Sequence, residues 1–192
     1  MDAVPSQLTD LTWPRRTQRL SLRPARAEDA AELWSWYRLP EVTRWLSENF
    51  PDEARFSDFY ESHCSHYLVG ELDGRLVANA KVDVTDCWAQ AEAPAGARQS
   101  EIGWALDPAV QGRGLGTELA GELLAISFDG LGLHRATAIC FADNIASMRI
   151  MERIGMRLEA RFVADSLHRD EGWLDSLSYG VLASEWRAQQ AA

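Results

Sequence analysis

Six residues at Gln111 to Gly116, read QGRGLG, place three glycines alternately just ahead of a segment patterned as a helix. Glycine loses more conformational freedom on ordering than any other residue. Alternate glycines in an ordered turn therefore mark a place where something approaches the backbone. Phosphate is the usual visitor, because a helix start gathers unbonded N–H groups and carries roughly half a positive charge.

Three phosphate-loop patterns compete for these residues. A nucleoside-triphosphate loop needs Gly-Lys-Ser/Thr after its glycines, and that triplet is absent from the chain. A dinucleotide fingerprint needs a third glycine at position 117, where Thr117 stands. The remaining pattern is Gln/Arg-x-x-Gly-x-Gly/Ala, which Gln111, Gly114 and Gly116 satisfy. In that reading the backbone from Gln111 through Gly112, Arg113, Gly114, Leu115 and Gly116 to Thr117 turns several N–H groups toward one point. Arg113 adds a full charge at the rim. A glycine-rich strand-to-helix turn that holds no ligand accounts for the same six residues.

The elements around the loop must position it. A strand reads at Ser100 to Leu106 and a helix at 114–128, with Leu115, Leu119, Leu123 and Leu124 on one side. A strand follows at about 135–141, then a helix from Asp143 or Asn144 to a stop at Gly155. Upstream, Arg19 to Ala25 alternates as a strand, and Leu33, Trp36 and Tyr37 share a helical face that Pro40 interrupts. Two β-rich runs flank Asp73-Gly74 and predict a tight hairpin. Residues 86–98 read as an exposed loop, a short strand starts at Arg157, and a last strand covers WLDSLSYGVLA. The expected class is α/β of the α+β type, a mixed sheet with helices packed on it. We expect an arm over 1–18, one domain over 19–187 and a short tail over 188–192.

Charge and cysteines bound the partners. Nineteen Lys and Arg against 29 Asp and Glu give a net charge of −10, which disfavours nucleic acid. No apolar run approaches the roughly 18–20 residues that span a bilayer, and no secretory leader is evident, so no membrane partner is expected. Three cysteines without a CxxC pair suit a reducing cytoplasm. His63, Cys64 and His66 fit no common zinc spacing, and no metal is expected. Cys140 reads as packing more readily than as a nucleophile.

Three ordered motifs carry a resemblance: EIGW at 101–104, DPxxQGxGxG at 107–116, and NxxSx7GM at 144–156. With the opening RLSLRPARAEDAAELWSW and the closing WLDSLSYGVLASEW, residues 19–187 resemble the GNAT acyltransferase superfamily. The branch with ribosomal-protein N-terminal acetyltransferases is the most similar. The resemblance implies a mostly antiparallel twisted sheet whose parallel central strands, the fourth and fifth of this reading, splay into a V. It implies acetyl-CoA as co-substrate, its diphosphate on the glycine loop and its pantetheine paired beside Leu106.

Acyl transfer to an amine needs a proton acceptor, an oxyanion donor and a proton for the departing sulfur. Glu101 is the candidate base and Asp165 a second, the latter from the resemblance. A backbone N–H near Trp104 to Leu106 is the candidate oxyanion donor. Ser147, standing where the branch has a serine, is the candidate donor to sulfur; capping its own helix is the plainer role. Asn144 is expected to cap that helix and to reach pantetheine. Met151 occupies the position where many members of the superfamily carry tyrosine. Trp34, Trp36 and Trp45 are candidates for an acceptor wall, although tryptophan more often packs the core. The expected function is acetyl transfer from acetyl-CoA to a primary amine, either an N-terminal α-amine or a small amine. Alternatives are a non-catalytic acyl-CoA sensor and use of another acyl-CoA such as succinyl-CoA. A cytoplasmic monomer or homodimer is expected.

Overall fold

A computed structural model describes residues 8–92 and 96–191. Parts of the expected arm, of the 86–98 loop and of the tail lie outside the described residues. One eight-stranded sheet runs in the order β1-β2-β3-β4-β5-β6-β8-β7. Its strands are β1 (Arg15–Arg16), β2 (Ser21–Pro24), β3 (Tyr67–Leu72), β4 (Arg75–Asp86), β5 (Arg98–Leu106), β6 (Arg135–Phe141), β7 (Arg157–His168) and β8 (Gly172–Leu182). The splayed pair read as the fourth and fifth strands is β5 and β6, because the two-residue β1 pairs ahead of β2. Among the described residues the only parallel pair is β5 with β6; every other pairing is antiparallel.

Among the described residues six α-helices flank the sheet: α1 (Asp29–Tyr37), α2 (Pro40–Thr43), α3 (Glu53–His63), α4 (Leu115–Ala125), α5 (Ile145–Arg153) and α6 (Ala183–Gln190). Pro40 begins α2, where its missing N–H costs nothing and its fixed φ suits a helix start. The β3–β4 hairpin turns on Asp73 (φ 51°) and Gly74 (φ 79°), the two positive φ values a tight hairpin requires.

Strand alternation divides the core into two apolar clusters. Leu68, Val77, Val82 and Ile102 join Leu115, Leu119, Leu123 and Leu124 of α4. Their strand neighbours Val69 and Leu76 join Leu33, Trp36, Phe56 and Tyr60 of α1 and α3. Successive residues of a strand point to opposite faces, so one hydrophobic run serves both layers.

Three elements differ from the sequence reading. The regular part of α4 ends at Ala125, and Ile126–Gly130 continues as a wider turn closed by Leu131 N–H to the Ile126 carbonyl at 2.9 Å. The strand from Arg157 is not short; it runs twelve residues alongside β8. It shifts register between Phe162 and Ser166, around Ala164 at φ 48°. Helix α6 follows β8, its first turn fixed by the Leu182 N–H donating to Glu185 at 2.9 Å.

Candidate active site

Pairing between β5 and β6 consists of Ser100 with Ala136 and Glu101 with Thr137. Beyond Glu101 the strands part, and residues 102–106 of one and 138–141 of the other line a cleft of about 730 Å³. That volume falls within the roughly 300–1,000 Å³ typical of small-molecule sites. Glu101 stands at the point of divergence, with its side chain about half exposed and lining the cleft.

The glycine loop forms one end. Gly112 (φ 72°) and Gly114 (φ 80°) take left-handed backbone that only glycine adopts at little cost, and a Cβ on Gly112 would meet nothing within 4 Å. The first backbone bond of α4 runs from Glu118 N–H to the Gly114 carbonyl at 3.1 Å. The amides of Leu115, Gly116 and Thr117 precede it and are available to an anion. Outside the cleft, Glu118 accepts from Thr17 Oγ1 at 2.5 Å, from Arg19 N–H at 2.6 Å and from Arg19 Nε at 2.7 Å. Burial opposes its ionisation, but these donors outweigh burial and hold the carboxyl below the ordinary glutamate value. Arg19 also donates to the Arg113 carbonyl at 2.8 Å, tying the loop to the strand that opens the sheet.

Two loop residues, Gly116 and Arg113, act differently from the sequence reading, and Leu115 has its backbone alone to offer. Gly116 has ordinary helical backbone and serves packing: a Cβ there would lie 2.7 Å from Ile150 Cδ1 of α5. Leu115 offers only its amide, because its side chain is fully buried in the core. The Arg113 side chain is exposed and outside the cleft lining. Gln111, Gly112, Gly114, Gly116 and Thr117 all line the cleft. Gln111 Nε2 donates to the Leu106 carbonyl at 3.2 Å, fastening the strand end to the loop and occupying an acceptor expected to face pantetheine.

Helix α5 lines the cleft next to this loop. Asn144 caps it, with Oδ1 accepting the Ser147 N–H at 3.1 Å. The Ser147 side chain makes no hydrogen bond among the described residues, and it lines the cleft with Trp104, Leu106 and Asn144. Met151 is fully buried beneath them. Cys140 also lines the cleft, and burial pushes its thiol up to about 11, leaving it protonated at neutral pH. His63 is accounted for by stacking on Phe59 at the end of α3.

The acceptor wall departs further. Trp36 is buried and donates from Nε1 to the Leu76 carbonyl at 3.1 Å; Trp34 packs on Phe56. Neither lines the cleft: Trp36 is held in the core by its bond to Leu76, and Trp34, on another side of α1, is taken up by Phe56 of α3. Tyr37 and Val42 line it instead, with Trp45. Trp45 meets Phe141 and His168 at ring-centroid distances of 5.9 and 5.7 Å, under the Arg44 guanidinium. His168 is buried; its Nε2 lies 2.8 Å from the Arg44 carbonyl, while Nδ1 accepts from the N–H groups of Asp170 and Glu171. These bonds fix the tautomer with the proton on Nε2. Asp165 is also outside the cleft lining. Its carboxylate is held by Ser166 and Ser176, whose hydroxyls donate at 3.2 and 2.9 Å and which do line it.

Residues absent from the sequence reading complete the cleft. Glu48, Asn79 and Lys81 line it, as do Arg149 and Arg153 of α5. The arginines recur four apart, one helical turn, which is a legible signal of a shared face. Asn79 and Lys81 interrupt an apolar run in β4.

Among the described residues, a mixed sheet thus opens at its one parallel junction, with a glycine-bent helix start at one end of the opening. The family model for the acetyltransferase (GNAT) domain matches residues 19–157, and the chain belongs to that family. The uncharacterized N-acetyltransferase YnaD of Bacillus subtilis is 38% identical over 86 residues, 45% of this chain and 50% of YnaD. The match thus spans about half the length of that relative. The putative ribosomal N-acetyltransferase YdaF of Bacillus subtilis is 29% identical over 93 residues, 48% of this chain and 50% of its own. A GNAT-family acetyltransferase from Bacillus anthracis superposes with a TM-score of 0.77 at 25% identity, over 88% of this chain and 98% of that one. Spermidine N-acetyltransferase from Vibrio cholerae, in complex with CoA and spermine, shares the fold with a TM-score of 0.73 at 18% identity, over 88% and 98%.

Proposed function

We propose that this chain transfers an acetyl group from acetyl-CoA to a primary amine, an N-terminal α-amine of a protein or peptide or a small amine, by direct attack. The observation that carries the reading is the end of β5–β6 pairing at Glu101, beside a loop whose Gly112 and Gly114 hold left-handed backbone. The diphosphate of the co-substrate fits the amides of Gly112 to Thr117, and the opening between residues 102–106 and 138–141 admits its arm. Bound acetyl-CoA supplies the activated acyl group. Glu101 takes the proton of the amine directly or through water, and the Ser147 hydroxyl gives one to sulfur. Asn144 spares that hydroxyl by using the Ser147 N–H to cap the helix. The protonated state of Cys140 favours direct attack over an acyl-cysteine.

The kinship with YdaF favours a terminal α-amine. A cytoplasmic setting is proposed from the three free cysteines. The test is titration with CoA followed by mass spectrometry of acetyl transfer to peptides with free N-termini, aminoglycosides and polyamines. Transfer to at least one amine class is expected. Tight CoA binding without any transfer points to an acyl-CoA sensor, and absence of CoA binding overturns both.

A further inference from the structure

Lys81 is the only lysine in the chain, and it lies in the cleft. It stands opposite Gly103 in the β4–β5 register. A Cβ on Gly103 would come within 3.0 Å of Lys81 Cε and 3.2 Å of Cγ, so the bare glycine lets the lysine stem lie flat across β5. The ammonium ends 2.7 Å from Asp83 Oδ2 and 3.4 Å from Glu101 Oε1. Burial disfavours the charged amine, yet the two carboxylates outweigh burial and raise its pKa. The group is therefore a fixed cation at neutral pH and not a competing nucleophile.

Glu48 and Glu101 line the cleft with Lys81, and Asp83, just outside the lining, takes the shorter contact of the ammonium. Glu48 and Asp83 both bear on the neighbouring Tyr67 hydroxyl. Lys81 binds Asp83 and Glu101, while Glu48 makes no ion pair among the described residues. An acceptor carrying one positive charge finds one unpaired carboxylate. A polycation needs several, and its further ammonium groups meet Lys81.

We propose that Lys81 determines acceptor specificity: its ammonium fills, from within the protein, the cation subsite that Asp83 and Glu101 would otherwise offer, so the cleft takes singly charged amines and rejects polyamines. This rests on the amine-acetyltransferase reading above and narrows it. Selection of this kind works by repelling the wrong ligand as well as by holding the right one.

The experiment compares two acceptors, a C-terminally amidated peptide whose only charge is its α-ammonium, and spermidine. Acetyl transfer is measured for the wild type, Lys81→Met and Lys81→Arg. Binding of each amine to the CoA-loaded proteins is measured by calorimetry. The wild type is expected to prefer the peptide. Lys81→Met is expected to shift the kcat/KM ratio toward spermidine by roughly tenfold or more, the equivalent of one modest charge interaction. Lys81→Arg is expected to keep the wild-type preference. An unchanged ratio in Lys81→Met overturns the proposal, as does spermidine serving the wild type as well as the peptide. Should Lys81→Met fail to fold, wild-type calorimetry decides: spermidine binding more tightly than the peptide overturns it. If the wild type acetylates neither these nor any other amine, the transferase reading itself falls; if it acetylates both equally, only the specificity assignment does.

Discussion

Ile150 of α5 packs into the space left by the absent side chain of Gly116, with Cδ1 only 2.7 Å from where a Cβ would stand. The two helices that flank the glycine-loop end of the cleft are thus keyed together by one glycine and one isoleucine. Gly116→Ala is expected to lower stability by about 1–3 kcal/mol, the usual range for overpacking. Adding Ile150→Val, which removes the crowding methyl, restores most of the loss. Thermal unfolding of the single and double variants checks this.

Gly112 behaves in the opposite way. Nothing crowds it, but its φ of 72° strains any other residue. Gly112→Ala is expected to cost about 1–2 kcal/mol of loop conformation and to weaken CoA binding. Isothermal titration measures the affinity, and an unaltered value would detach the loop from the cofactor.

Glu101 and Ser147 are expected to separate binding from chemistry. Glu101→Gln and Ser147→Ala each lower kcat by roughly a hundredfold or more, with little change in CoA affinity. Ser147→Ala keeps the backbone N–H that Asn144 caps, so its helix stays intact. Steady-state kinetics beside CoA titration read the two effects apart.

His168 is expected to act on the acceptor and not on the cofactor. Its three hydrogen bonds join the β7–β8 turn to the segment carrying Trp45. His168→Ala loses those bonds and two ring contacts, an expected cost of about 2–4 kcal/mol. KM for the amine is expected to rise while KM for acetyl-CoA holds, and tryptophan emission is expected to change as Trp45 loosens.

Acid is expected to unfasten α1 from the sheet. Asp29 is buried and accepts two hydrogen bonds from Arg23 of β2, both at 2.8 Å. Burial alone would raise its pKa, but Arg23 and the Arg26 N–H lower it below the ordinary 3.8. The unfolded chain therefore takes up this proton first. The stabilisation is full above about pH 3.8 and is lost as pH falls through the lower native value. Asp29→Asn is expected to flatten that part of the acid limb in unfolding midpoints measured from pH 6 down to 2.

Local signals were legible in the sequence wherever chain chemistry is punctual. Asp73-Gly74, Pro40, the Asn144 cap and the leucine stripe of α4 each require one backbone state or one face. The glycine loop was legible as a turn of left-handed backbone before a helix, but not the division of labour within it, because Gly116 is explained by Ile150, distant in sequence. Trp34 and Trp36 were unreadable for a similar reason: a helical face is apolar whether it turns to a core or a cleft. The length of β7 was hidden by a register shift that breaks alternation. Lys81 acquires meaning only beside Gly103, a partner the strand register supplies.

The two apolar clusters lie on opposite faces of one sheet and share no residue. On the proposed reading, the layer under α4 backs the loop that grips the reagent, whereas α1 to α3 shape what that reagent meets. Side chains far apart perturb stability almost independently. Mutation is therefore free to rewrite the guest list of such a molecule while its handle stays untouched, and descendants of one ancestor can part ways in substrate long before they part in architecture.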